Sequence, residues 1–288
     1  MHNEHDTMPQ ETSIHAVTVI YNSRVPATLP VAEAIVAWLE KRGRRAWLCS
    51  RDQDATACLP SDLFITLGGD GSILRAAQQA APTGTPILGI NMGRVGFLTE
   101  TSPEEWESTL KRALAGEGWI ETRMMLSVTL LHHGQRIAQE HALNDAVVSR
   151  GALARTVRLK TFIDGAELTR YVADGLILAT PTGSTAYAYA IGGPILPPWL
   201  DNILLIPAAP HLSLERPLVL GADAVIDVEV NTEIPGMLTV DGRMEGELQN
   251  GDVVRIERSP LQTRFLRLRS RCDFYCTLVS RLTPRNGE

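Results

Sequence analysis

Residues 68–72 read Gly-Gly-Asp-Gly-Ser, directly after the apolar run Leu63–Leu67. Glycines at 68, 69 and 71 let the backbone approach a ligand and aim its N–H groups at anionic oxygens. Ser72 is placed to cap a following helix, whose N-terminus attracts phosphate. The single carboxylate in this setting, Asp70, is either a reagent or the polar residue of a tight turn. Both readings stand on these five residues alone. The segment lacks the Gly-Lys-Ser/Thr ending of a Walker loop, and it is not the Gly-x-Gly-x-x-Gly of a hydride-transfer dinucleotide site.

Two further clusters carry chemistry. Asn144 and Asp145 stand side by side at the start of an apolar strand pattern. The pair offers donors and acceptors able to grip a ribose diol, although a strand-initiating Asx turn would use the same residues. Residues 174–198, DGLILATPTGSTAYAYAIGGPILPP, run from a strand into Thr180-Pro181-Thr182-Gly183-Ser184-Thr185. Helix capping needs one hydroxyl, not four. The surplus suggests a polar binding site, with Tyr187 and Tyr189 able to stack on a ring.

Positioning these groups requires two kinds of architecture. In the first part, "IHAVTVIY" (14–21) predicts a buried strand, and Ala32, Ile35, Val36 and Leu39 predict a helix ended by Gly43. "DLFITL", "GSILRAAQQAA" and "PILGINMG" continue as strand, helix and strand. Ser102-Pro103-Glu104-Glu105 has the form of a capping box opening a helix to about Ala115. Alternating strands and helices imply a parallel, doubly wound sheet. From Trp119 the pattern becomes two-residue alternation. It is punctuated by His132-His133-Gly134, read as a solvated hairpin tip, and by Asp164-Gly165, Asp241-Gly242 and Asn250-Gly251, read as hairpin turns. The fold class expected is therefore α/β followed by all-β. Its division is a tail at 1–13, an α/β domain at 14–118, an antiparallel β domain at 119–265 and a last segment at 266–288.

Bulk properties bound the partners. A formal net charge of −6 argues against a general nucleic-acid binder, which would carry a basic surface. No run reaches the roughly 18 apolar residues that span a bilayer, and the N-terminus lacks the pattern of a signal peptide. The expectation is a cytoplasmic protein without membrane or nucleic-acid partners. Cys49, Cys58, Cys272 and Cys276 lack zinc-type spacing and read as reduced, buried thiols.

Together the segments GGDGS (68–72), GINMGRVGFLTE (89–100), Asn144-Asp145 and DGLILATPTGSTAYAYAIGGPI (174–195) resemble the NAD kinase family over most of the chain. The first motif is shared with lipid kinases and phosphofructokinases, and the last is specific. The resemblance implies a Rossmann-like domain, a β-sandwich domain carrying much of the NAD site, an active site between them, and a C-terminal segment returning to the first domain. It implies a homodimer or homotetramer that uses ATP, or in some members polyphosphate, with Mg²⁺ to convert NAD to NADP. Carried over residue by residue, Asp70 matches the catalytic aspartate and Gly71 lies beside it at the substrate. Gly68, Gly69, Gly71 and Arg75 would hold phosphates in place of a P-loop lysine. Asn144 and Asp145 match the pair on the adenosine ribose, and Asp174 matches the acidic residue on the nicotinamide side. Thr185, Ala186 and Tyr187 match the dinucleotide site, with Phe97 and Arg155 near the ligand. Asp145 stands where Glu is common, shortening the reach by one methylene, and Ser72 stands where Thr is common. Two other readings are a lipid or sugar kinase of the same superfamily and a non-catalytic NAD(H)-binding sensor.

Overall fold

Runs of β-branched and aliphatic residues form the first strands, because such side chains pack well on a pleated, buried surface. The computed structural model describes residues 14–53, 60–93, 96–151, 156–211, 214–232 and 234–282. Arg155, Cys58 and the 1–13 tail lie outside the described residues. The chain divides into two compact units. Unit 1 runs to Thr122 and resumes at Thr263; unit 2 is Arg123–Gln262.

Unit 1 opens with β1 (Ala16–Tyr21), α1 (Thr28–Glu40), β2 (Arg45–Ser50), β3 (Leu63–Gly68), α2 (Asp70–Ala80), β4 (Ile87–Asn91) and α3 (Trp106–Leu114). The strands are parallel in the order β2-β1-β3-β4. Order reverses between β1 and β3, and in such sheets ligands bind beyond the strand carboxyl ends at this point. The core combines Val17, Val19, Ile65, Leu67, Leu88 and Ile90 with Ala32, Ile35, Trp38 and Leu39 of α1. Val36 is only half-buried, and Trp38 takes the place expected for it. The capping box at 102–105 does not form. Residues 103–105 are a turn, α3 starts at Trp106 without a side-chain cap, and the Ser102 hydroxyl bonds the Glu104 carboxylate, holding it below its ordinary range.

The chain continues through β5 (Trp119–His132), β6 (Gln135–Ala142), β7 (Asp145–Arg150), β8 (Val157–Ile163), β9 (Ala166–Ala173), β10 (Gly175–Ala179) and the short α4 (Tyr187–Ala190). Then follow β11 (Asn202–Ala208), β12 (Leu218–Gly221), β13 (Ile226–Asn231), β14 (Gly236–Val240), β15 (Arg243–Leu248), β16 (Val253–Arg267) and α5 (Asp273–Leu282). In unit 2, one sheet runs β12-β11-β10-β7-β14-β15, and β16, β13, β8 and β9 with β5 and β6 supply the other. Inward residues of both, including Leu126, Val148, Leu159, Tyr171, Leu178 and Val254, share one core, as in a β-sandwich. β5 begins and β16 ends in unit 1, where Phe265 pairs with Ile87 of β4.

The turns at His133-Gly134, Asp164-Gly165 and Asp241-Gly242 carry positive φ at both residues, as two-residue hairpins require. Asn250-Gly251 is not a hairpin turn: it passes the chain from β15 to β16, which belong to different sheets. The hairpin-tip His132 is not simply solvated, since its Nδ1 lies 2.6 Å from the buried Asp252 carboxylate. Cys49 is buried as expected, whereas Cys272, in the turn before α5, and Cys276, on α5, are exposed, so two of the thiols read as buried are not.

Candidate active site

In unit 1 the candidate groups gather beyond the ends of β1, β2 and β3. Gly68 ends β3 at φ 149°, and a Cβ there would overlap the Ser72 hydroxyl. Glycine at 68 therefore answers both backbone and space. Gly69 is the N-cap of α2, so Asp70 is the first helical residue and Ser72 lies inside the first turn. Ser72 does not cap the helix: it is buried and its Oγ accepts from Asn22 Nδ2 at 3.1 Å. A Cβ at Gly69 or Gly71 would meet nothing within 4 Å, leaving the first-turn backbone open on that side. The Asp70 carboxylate accepts from the Phe97 N–H at 3.0 Å and the Leu98 N–H at 3.2 Å. The Phe97 ring packs against Phe274 of α5, centroids 6.4 Å apart, and under the Arg281 guanidinium at 5.2 Å.

Arginines gather after β1 and β2 and on α2. Arg75 on α2 and Arg51 after β2 approach the Asp52 carboxylate at only 3.9 and 4.0 Å, and Arg24 acts on both Asp52 and Arg51. The Ser23 hydroxyl, 2.6 Å away, and these guanidinium groups hold Asp52 below its ordinary carboxylate range. Burial, with repulsion from Arg24, lowers the Arg51 pKa. Three cations sharing one anion are suited to phosphate. Arg24 and Arg51 escaped the sequence reading, because only the parallel strand order brings them beside Arg75.

In unit 2, the peptide segment entering β7 is pinned by one carboxylate. Asp241 accepts from the N–H groups of Leu143 at 2.9 Å, Asn144 at 2.7 Å and Asp145 at 3.2 Å. The Asp241 N–H in turn donates to the Asp145 carbonyl at 2.9 Å. Burial pushes the Asp145 carboxyl up to about 7, and the Asp241 charge adds to the shift. In the sequence Asp241 marks only a turn. The Asp-Gly pair forms that turn and its side chain also fixes the Asn144–Asp145 backbone.

The hydroxyl-rich loop differs from expectation in a specific way. Thr180 Oγ1 donates to the Leu143 carbonyl, Ser184 Oγ to Pro181 and Thr185 Oγ1 to Thr182. Thr182 Oγ1 accepts from Arg123 at 3.0 Å. Each of the four hydroxyls thus has a protein partner, and Thr180, Thr182 and Ser184 are buried. Their hydrogen bonds hold the loop in shape, and the three that donate keep acceptor lone pairs. A Cβ at Gly183 would overlap the Asn144 carbonyl, so the loop is locked against the Asn144–Asp145 segment. Ala186 is half-buried, and Tyr187 and Tyr189 are exposed beside it. Asp174 is not brought to this cluster. It precedes β10, whose far end, Ala179, pairs with Asp145, about 16 Å away at the rise of a strand. Its carboxylate pairs with Arg150 at 3.0 Å. Arg243, at the hairpin turn, lies 3.3 Å from Glu245 and 3.6 Å from Glu140.

The phosphate-suited loop and the pinned Asn144–Asp145 segment fall within known families. The family described as ATP-NAD kinase N-terminal domain matches residues 50–118, and ATP-NAD kinase C-terminal domain matches residues 143–268. The chain belongs to the ATP-NAD kinase family. An NAD kinase of Dehalococcoides mccartyi is 39% identical over 274 residues, covering 94% of this chain and 96% of that protein. One of Moorella thermoacetica is 40% identical over 279 residues, covering 92% and 88%. Among solved structures, an Archaeoglobus fulgidus NAD kinase in complex with ATP aligns with a TM-score of 0.77 at 29% identity, over 93% of this chain and all of that one. A yeast NADH kinase complexed with NADH aligns at 0.85 and 24% identity, over 96% and 90%, and shares the fold. As a member of this family the chain is a kinase acting on NAD, and the lipid-kinase, sugar-kinase and sensor readings are not favoured.

Proposed function

We propose that Asp70 serves the transfer of the ATP γ-phosphoryl group to the adenosine 2′-hydroxyl of NAD, giving NADP. The observation that carries this reading is a carboxylate at the first residue of the helix that follows β3 at the sheet's switch point, the helix that also carries Arg75. Asp70 orients the attacking hydroxyl and accepts its proton late. A carboxylate suffices as the acceptor, because phosphoryl transfer passes through a loose transition state with little early need for proton removal. The backbone of Gly68, Gly69 and Gly71, with Arg75, holds the donor phosphates, and the charge of Arg24 and Arg51 adds to that field.

Asn144 and Asp145 grip the adenosine ribose. Thr185, Ala186 and Tyr187 line the dinucleotide; the Thr185 hydroxyl, which donates to the Thr182 carbonyl, keeps its lone pairs to accept from the ligand. Phe97, Arg155 and Asp174 complete the contacts expected from the family resemblance. Mg²⁺ fits such a site as a companion of the nucleotide, since it takes one or two carboxylates plus substrate phosphates rather than an all-protein cage. Among the described residues there is no cluster of three metal-ligating side chains, and Asp70 is the carboxylate at the phosphate loop. When bound, the ion neutralises charge developing on the phosphoryl oxygens. The exposed thiols Cys272 and Cys276 support a reducing compartment, the cytoplasm. Exposed Tyr187, Tyr189 and Met244 support a homodimer or homotetramer, checked by light scattering of the purified protein.

The test is a coupled assay for NADP with NAD, Mg²⁺ and ATP, repeated with polyphosphate as donor. Asp70→Asn is expected to lower kcat by at least about 10²-fold with NAD affinity nearly unchanged. Normal turnover of that variant would remove Asp70 from the chemistry.

A further inference from the structure

We infer that Arg267 is a positioning residue for Asp70, acting through the backbone of Leu98; this rests on the catalytic reading of Asp70 above. The Asp70 carboxylate is held by a strap, residues 96–101. Phe97 and Leu98 donate their N–H groups to its two oxygens at 3.0 and 3.2 Å. A Cβ at Gly96 would overlap Asp70 Oδ1, so the strap lies directly on the carboxylate. These two bonds leave a lone pair on each oxygen for a substrate hydroxyl.

The other end of Leu98 is held as firmly. Its carbonyl accepts from Arg267 Nη1 at 3.0 Å. The same guanidinium donates through Nε to Glu121 at 2.8 Å and through Nη1 to Glu100 at 3.3 Å. Glu100 in turn accepts from the Leu268 and Arg269 N–H groups, both at 2.8 Å, and its own N–H donates to the Gly89 carbonyl of β4. Arg267, Glu100 and Glu121 are all buried. Burial opposes the guanidinium charge, and the Glu121 and Glu100 carboxylates overcome it, leaving the Arg267 pKa above its ordinary value.

Desolvating three charges gives little net stability over an apolar cluster of the same volume. What an apolar cluster would not provide is a donor fixed on the Leu98 carbonyl. Only the rigid fork of Arg can satisfy two carboxylates and that carbonyl together. The strap therefore has one place to lie, and Asp70 has one orientation. Misplacing a reacting group by about 1 Å costs about 10²-fold in rate.

The experiment uses the full chain with two variants that avoid stranding a buried carboxylate pair. Arg267→Lys keeps the charge and loses the fork, and Arg267→Met with Glu121→Leu removes an ion pair as a unit. Each is assayed alone and with Asp70→Asn. We expect kcat to fall about tenfold or more, with KM for NAD and ATP within about twofold and thermal unfolding still cooperative. In the Asp70→Asn background the same changes should cost nothing further, because their effect passes through that carboxylate. If both folded variants keep kcat within about twofold, or if the losses add in full to that of Asp70→Asn, the positioning role is overturned. Normal turnover of Asp70→Asn alone would instead remove the catalytic reading, and the relay with it.

Discussion

Asp145 makes folding stability depend on pH in a direction opposite to most carboxylates. Its pKa is about 7 in the folded chain against an ordinary 3.8, because burial and the neighbouring Asp241 favour the neutral form. The folded state holds a proton that the unfolded state has released between those values. Stability from this group is fully present below the unfolded pKa and is lost as pH rises through the folded one. Between pH 5 and pH 8 the two pKa values give a loss of about 2 to 3 kcal/mol. Coupling to Asp241 spreads the transition over both carboxyl groups. Asp145→Asn removes the titration while keeping shape. Urea unfolding of both proteins at pH 5 and pH 8 should therefore show the variant gaining about 2 to 3 kcal/mol on the natural chain over that interval. A stability difference that stays constant with pH would refute the burial argument. The same variant is expected to raise KM for NAD, since in the proposed ribose grip one acceptor oxygen becomes a donor.

Three other perturbations test separate parts of the site. Asp241→Asn loses a charged acceptor of three N–H groups and is expected to cost about 2 to 3 kcal/mol in denaturant unfolding while raising KM for NAD. Gly183→Ala drives a methyl group into the Asn144 carbonyl, and a lower melting temperature together with weaker NAD binding by calorimetry would verify that lock. Arg51→Gln and Arg75→Gln are each expected to raise KM for ATP about tenfold, leaving KM for NAD unchanged, an effect weakened at high salt. A rise in the NAD constant alone would remove these residues from the phosphate field.

Local features were legible in the sequence where one residue type has one physical use. The Asp164-Gly165 and Asp241-Gly242 turns follow directly from the need for positive φ, and the Gly-Gly-Asp-Gly run does mark a strand-to-helix junction. Ambiguity entered where a polar side chain has several partners to choose from. Ser72 looked like a cap and is instead bonded to Asn22. The four hydroxyls at 180–185 suggest a polar site, and each also bonds a neighbouring carbonyl or Arg123, which the sequence does not foretell. β2, an edge strand with mostly exposed or half-buried residues, carries no alternation to betray it. The Arg24–Arg51–Arg75 cluster and the Arg267 network are set by topology, and no short window of sequence contains them.

Sequence distance gives the Arg267 cluster a consequence for biogenesis. Arg267 follows Glu121 by 146 residues and Glu100 by 167. At ribosomal speeds of about 5 to 20 residues per second, on the order of ten seconds separates synthesis of the two carboxylates from that of their counter-ion. Throughout that interval the Leu98 carbonyl has no anchor and the strap over Asp70 has no fixed place. Unit 2 lies wholly within this stretch of chain and can fold as a unit first. Unit 1 is thus completed last: a nascent or C-terminally truncated chain can fold unit 2 before the strap over Asp70 is anchored.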